Sequence, residues 1–360
     1  MRRKLPVILG TAFLAFVVAC EGPAGPQGPA GADGTNGATG ATGPQGEPGV
    51  SPVVNCQECH NSSTELLSRM IQYEHSVHYT GGNLARANDP VCAVCHSDEG
   101  FVERITNGTD TIAAGITNPT PPNCRTCHMI HTNYDSTDLR LRTTSPVTLL
   151  VNDSTVSGPG ASNLCIQCHQ PRPAEPMPVL GGDSVHITSA YWGPHHGPQG
   201  AVLEGTGAFV FAGSSVTTGP STHGDTLFNG GCPTCHMATP YGDQAGGHTW
   251  NMTYTLHGTV EDNTAGCLAF GCHSIMPDFD KAGVQTNVQG LLDSLEVLLQ
   301  GKGILDSTGT VVAGGTFTSD LTAAYLNWTF FEQDRSLGVH NPPYVQAVLA
   351  NTIDAVNAMP

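Results

Sequence analysis

The chain has 360 residues, 39% hydrophobic, 6% aromatic and 12% charged, with 44 Gly and 26 Pro; so lean an apolar supply argues against a large aliphatic core and calls for another interior filler. Its 13 Cys and 16 His offer a candidate, since such numbers in a long chain point to metal or haem chemistry before a disulfide scaffold. Acid outweighs base by 17 charges, and with Arg2, Arg3 and Lys4 set aside only 10 of the 13 basic residues remain against 30 acids, which excludes a nucleic-acid-binding role.

Residues 1–19 read as a bacterial export signal: a basic start, an apolar stretch from Leu5 to Val18, then Val17-Val18-Ala19-Cys20. The apolar stretch is shorter than the ~20 residues of a spanning helix. The tetrad is similar to a lipobox, which implies cleavage before Cys20 and a diacylglycerol on its thiol. Glu21 follows, with no aspartate retention signal, so sorting to the outer membrane and the cell surface is expected, the periplasmic face being the other possibility.

From Gly22 to Gly49 a glycine stands at every third position, ten in all, with Pro23, Pro26, Pro29, Pro44 and Pro48 between them. This is the collagen period, in which only Gly fits the crowded axis of a triple helix. Residues 20–51 are therefore expected to be either a trimerising segment or a lipid-anchored spacer that, at ~3.1 Å per residue, reaches roughly 80–90 Å. Residues 52–280 hold every other Cys, broken by Gly/Pro/Thr/Asn-rich loops. Residues 281–360 read as a helical tail packing on them: Val288, Leu291, Leu292, Leu295 and Leu298 recur at helical spacing before Gly301 and Gly303. Ser319 is the expected N-cap of a second helix with Leu321, Tyr325, Trp328 and Phe331, and a third follows Pro343 with Val345, Val348, Leu349, Ile353 and Val356.

Five Cys-x-x-Cys-His motifs occur: Cys56/Cys59/His60, Cys92/Cys95/His96, Cys124/Cys127/His128, Cys165/Cys168/His169 and Cys232/Cys235/His236. Each reads as a c-type haem attachment site: one helical turn sets two thiols under the two vinyl groups of one porphyrin, and the adjacent His reaches the iron. Cys267-Leu-Ala-Phe-Gly-Cys272-His273 is a wider variant. Six motifs consume all twelve Cys after Cys20, leaving no orphan thiol. Zinc ribbons do not require a His after every second Cys, and disulfides do not predict one. Six covalent haem c groups follow.

Ten His remain: His75, His78, His131, His186, His195, His196, His223, His248, His257 and His340. Six of them would complete bis-histidine ligation, which closes every iron to substrate and suits electron transfer over catalysis. His78, His131 and His223 are expected second ligands, with His75, His196 and His257 as alternatives, and His186 as a ligand or a propionate partner.

The segments Gly193-Pro194-His195-His196-Gly197-Pro198-Gln199-Gly200, Cys235-His236-Met237 with Gly246-Gly247-His248-Thr249-Trp250, and Ser336-Leu337-Gly338-Val339-His340-Asn341-Pro342-Pro343-Tyr344 resemble the multihaem lineage of ammonia-forming nitrite reductase and hydroxylamine oxidoreductase. The resemblance implies that His195, His248 and His340 are second ligands given to haems elsewhere in the fold. No Cys-x-x-Cys-Lys motif occurs, so the catalytic haem of the nitrite reductases has no counterpart, and no motif shows the tyrosine cross-link of hydroxylamine oxidoreductase. Haem count and leader also resemble the surface hexahaem cytochromes of metal-reducing bacteria, some of which form filaments.

The expected fold is mainly α with much irregular loop, a haem-cored multihaem cytochrome c with little or no β-sheet. The expected role is electron conduction rather than enzyme catalysis. Its partners would be other redox proteins or cytochromes, an extracellular acceptor, and the membrane through the lipid anchor. The competing readings are a reductase of a small nitrogen or sulfur oxyanion, which needs one five-coordinate haem beside Arg, Lys, Tyr or His, and a filament subunit.

Overall fold

The computed structural model describes residues 56, 60, 61, 63–225 and 231–360. The leader over 1–19, the lipidation candidate Cys20, the Gly-X-Y segment over 20–51 and Cys59 lie outside the described residues. The chain divides into two compact units, 1–61 with 134–136, and 62–133 with 137–360. In the first, the His60 amide donates to the Cys56 carbonyl at 2.6 Å.

The second unit opens with α1 (Thr64–Glu74), capped by the Ser63 hydroxyl, and the short α2 (Val77–Thr80), capped by Ser76. Short helices then carry the motifs: α3 (Ala93–His96), α5 (Cys124–Cys127), α6 (Ser162–Ile166) and α8 (Cys232–His236). Between them run α4 (Asp98–Asn107), started by Ser97 and ended by left-handed Gly108, and α7 (Gln199–Leu203). Three two-stranded antiparallel pairs complete this region: β1 (Val147–Thr148) with β2 (Thr155–Val156), β3 (Val185–His186) with β6 (Thr316–Phe317), and β4 (Thr253–Leu256) with β5 (Thr259–Asp262). Among the described residues the architecture is thus mainly helix and loop, with small strand pairs only.

Three long helices close the chain: α9 (Val284–Gly301), α10 (Ser319–Asp334) and α11 (Pro342–Ala358). The expected cap at Ser319 is displaced by one residue. Thr318 accepts from the Leu321 amide, while Ser319 lies inside the helix and spends its hydroxyl on the Val179 carbonyl. Pro at the first positions of α11 costs nothing, because those N–H groups have no intrahelical partner.

Apolar residues are scarce but concentrated. One core joins Val288, Leu292, Leu295 and Leu299 of α9, Leu326, Phe330 and Phe331 of α10, and Tyr344, Val348 and Leu349 of α11 to Val147, Leu149, Ile166, Ile187 and Trp192. A conventional interior therefore exists beside the motif region, which has only a small cluster of its own around Ala87, Ala93, Val94 and Ile112. No helix among the described residues is long and apolar enough to cross a membrane.

Leu349 is 0% exposed at the centre of the three-helix core. Leu349→Ala is expected to lower unfolding stability by about 2–5 kcal/mol, read as a reduced denaturant midpoint. A change under ~0.5 kcal/mol would show that this core does not carry the unit.

Candidate haem-binding site

One hydrogen bond recurs among the motifs. The amide of the motif His donates to the carbonyl of the first Cys in His96→Cys92 (3.1 Å), His128→Cys124 (2.9 Å) and His169→Cys165 (2.9 Å). The wide motif keeps this bond: His273 N–H reaches Cys267 O at 3.1 Å, with a 3-10 turn over Ala269–Gly271 absorbing the two extra residues. The insertion is looped out, and Cys and His keep the relation they have elsewhere.

Local packing places the turns. Asn123 and Thr126 form a capping box on α5, and buried Asp98 accepts from Thr126 Oγ1 at 2.8 Å and from Arg125 Nε at 2.8 Å, pinning the third motif to the start of α4. The fifth and sixth motifs approach at Gly266, where an added Cβ would meet Thr234 O at 2.5 Å and Cys235 Cα at 2.6 Å. Only glycine allows that approach. The Cys95 and Cys168 thiols lie close enough to shift each other's titration, as do those of Cys165 and Cys232. Motifs two, four and five therefore abut at their attachment atoms.

All ten thiols of motifs two to six line one cavity of about 2920 Å³. A pocket for one small ligand holds ~300–1,000 Å³, so this space suits several large groups. The cysteines of motifs two to six form no disulfide with one another, and among the described residues no three His, Cys, Asp or Glu side chains converge as a tetrahedral zinc site requires.

Imidazoles meet in twos across the same cavity. Ring centroids are 6.1 Å apart for His78 and His169, 6.2 Å for His96 and His195, 6.4 Å for His128 and His248, 6.3 Å for His223 and His273, and 6.3 Å for His236 and His340. Every motif His of the second unit thus faces one His from outside the motifs. Two metal–nitrogen bonds of about 2.0 Å, with a ring radius of about 1.1 Å on either side, span roughly 6.2 Å. The rings stand where two axial ligands of one iron would stand, and the residues fit the group that the motifs imply.

Six of the ten rings, at least one in each pair, are held from behind, which directs the other nitrogen inward. Nδ1 of His96 meets Gly82 O (3.0 Å), that of His128 meets Leu139 O (2.6 Å), and that of His223 meets Val339 O (2.6 Å). His236 is held by Trp250 O (3.1 Å), His169 by Gln199 Oε1 (3.3 Å) and His340 by Asp334 Oδ1 (2.6 Å). Burial, reinforced by His169 at His78, by His196 at His195 and by His128 at His248, lowers the pKa of each of these three rings to about 4. They are neutral at pH 7, as metal ligands must be. At His340 burial opposes the charged form, but Asp334 outweighs it and the pKa rises.

Five of the six expected second ligands, His78, His195, His223, His248 and His340, lie opposite a motif ring. The sixth, His131, is in the second unit with its backbone in the left-handed region (φ 63°), while Cys56 and His60 belong to the first unit. The alternatives are engaged elsewhere: His75 with Ile71 O and, at 3.6 Å, Asp243; His186 with Thr316; His196 with Gln333. His257 lies in the β4–β5 turn at φ 51°.

Sequence reasoning missed two residues that organise the pairs. Trp250 lies edge-on to His78 (4.7 Å, 89°) and close to His248 (5.6 Å, 66°), while its carbonyl holds His236. One side chain and its backbone thereby touch three ring pairs. Asp334 is the other, and no motif announced it.

Near Cys232 the acceptors Glu204 Oε1 and Asn163 Oδ1 are buried without a hydrogen-bond partner among the described residues, and both face the space beside Gly158. Burial first, then the nearby Cys232, pushes the Glu204 carboxyl up to about 7.

No family model matches this chain, and no curated protein matches its sequence. Its fold is similar to a solved structure described as the crystal structure of outer cell wall cytochrome OcwA, with a TM-score of 0.50 and 18% identity over 80% of this chain. The chain spans 50% of that protein's length. At this identity the likeness is one of fold alone.

Because the Glu204 pKa is raised in the fold, the folded state binds more protons than the unfolded state between pH 4.5 and 7. Stability from this group is complete below pH 4.5 and is lost as pH rises through 7, by about 1–3 kcal/mol. Glu204→Gln should flatten that part of the stability–pH profile. An unfolding free-energy difference between pH 4.5 and 7 that is the same in the variant and the wild type would contradict the assignment.

Proposed function

We propose that the chain is a six-haem c-type cytochrome lipoprotein that conducts electrons through closely spaced bis-histidine haems, in extracellular electron transfer. The observation carrying this reading is the set of five facing imidazole pairs, 6.1–6.4 Å between centroids, each joining a motif His to a distant one. Haem, bound there, would supply a one-electron iron couple.

The chain's own residues do the rest. Cys92 with Cys95, Cys124 with Cys127, Cys165 with Cys168, Cys232 with Cys235, and Cys267 with Cys272 would anchor five groups whatever their redox state. His96, His128, His169, His236 and His273 would bind from one face, and His195, His248, His78, His340 and His223 from the other, closing each iron to substrate. The lining of one cavity by all ten thiols of motifs two to six supports spacing short enough for rapid exchange. Cys56, Cys59 and His60 would bind the sixth group.

The anchor at Cys20 and the spacer over 20–51 would hold the unit at the outer membrane, within reach of redox proteins and an extracellular acceptor. The similarity to an outer cell wall cytochrome supports a surface location. A Gly-X-Y segment would permit trimers.

Haem stoichiometry and visible spectra of the purified protein test the proposal. Six covalent haems per chain, all low-spin and insensitive to added nitrite or hydroxylamine, are expected. Fewer than five haems would overturn the haem assignment, and a high-spin component that binds nitrite would replace the conductor with a reductase. His248→Ala should convert one haem equivalent to a high-spin form while the count stays at six; an unchanged spectrum would remove His248 from the ligand set.

A further inference from the structure

The neighbours of the paired rings differ in one respect. His96, His128, His223 and His236 donate to backbone carbonyls and His169 faces a side-chain amide, all neutral, whereas His340 alone faces a carboxylate. Asp334 ends α10 with its side chain 1% exposed, and its ion pair among the described residues is with His340. We infer that Asp334 is a positioning residue acting through His340 that makes the iron held between His236 and His340 the lowest in reduction potential of those bound by the second unit.

The geometry fixes this contact. Arg335 and Leu337, at φ 60° and 50°, and Gly338 at 88° fold the chain sharply after α10. The turn presses on α9, since a Cβ at Gly338 would meet Val288 Cγ2 at 2.8 Å. The His340 amide donates to Ser336 Oγ at 3.2 Å, and Ser336 donates to Asp334 Oδ2. The carboxylate is thus clamped, with Oδ1 on the His340 ring at 2.6 Å.

Two effects act in one direction. A carboxylate draws on the Nδ1 proton and gives the ring imidazolate character, so its other nitrogen becomes a stronger donor and favours Fe(III). A buried negative charge one ring away also stabilises the more positive oxidation state, weakly screened in this interior. Reduction remains a one-electron step, Fe(III) plus an electron giving Fe(II). His340 keeps its proton and Asp334 its charge, so no proton or co-reactant is needed.

The position matters as well. Cys232 lies near Cys165 of motif four, and Gly266 brings motif six against Cys235. A low-potential centre here would lie between those neighbours as a step that electrons leave readily in either direction.

This inference rests on the proposed haem reading. The test uses the haem-loaded full chain: redox titration followed by visible absorption, with electron paramagnetic resonance of the ferric protein. Asp334→Asn should keep six low-spin haems and raise only the lowest component, changing its Fe(III)-to-Fe(II) ratio at fixed potential roughly tenfold, about 59 mV for a one-electron couple. One low-spin resonance should shift with it. Ser336→Ala removes a competing donor from the same carboxylate and should move that component the opposite way. Superimposed titration curves, a shift in another component, or shifts of the same sign in both variants would overturn the inference. Absence of haem on the wild-type peptide containing Cys232 and Cys235 would instead overturn the reading beneath it.

Discussion

In every facing pair of imidazoles at least one ring is gripped from outside the gap, and much of the second unit is arranged to provide that grip. The supports come from distant places: Gly82 behind His96, Leu139 behind His128, Val339 behind His223, and the carbonyl of Trp250 behind His236. A free ring at such a distance from another would turn toward water. Held this way it stays aimed.

This constraint explains the uneven texture of the fold. Where ring pairs set the geometry, the backbone is free to be irregular, and helices as short as Cys124–Cys127 suffice because they need only present two thiols and an imidazole. Where no pair acts, regular packing takes over, and Val284–Gly301, Ser319–Asp334 and Pro342–Ala358 bury Leu295, Phe330 and Leu349 against one another. The two regimes meet at His340, which follows a tight turn out of the helical core and points into the cavity.

What could be read from sequence was whatever is local. Spacing alone identified the motif turns, and the helical period of Val288, Leu292 and Leu295 identified the tail. Pairing was not legible, because nothing in the chain near His78 refers to His169 or near His128 to His248; those contacts are made by the whole fold. Trp250 stood inside a noted segment, yet its contacts with His78 and His248 depend on a left-handed backbone (φ 54°) that sequence does not display. The Thr318 cap was missed because the adjacent Ser319 satisfies the same propensity and its use by Val179 is a tertiary event. Composition understated the core, since an average over 360 residues hides the clustering of apolar side chains near the C-terminus.

The ring pairs also have a topology. Partners are separated by as few as 50 positions (His223 to His273) and as many as 120 (His128 to His248), and each span overlaps the next, from 78–169 through 96–195, 128–248 and 223–273 to 236–340. Metal bridges across them would act as interlocked staples. Closing a loop of ~100 residues by a covalent link removes about 4.7 kcal/mol of chain entropy from the unfolded state, and overlapping loops cannot be opened one at a time without straining their neighbours. A polypeptide with few long helices before residue 284 would then unfold from 78 to 340 as a single cooperative body, its rigidity drawn from linkage rather than from secondary structure.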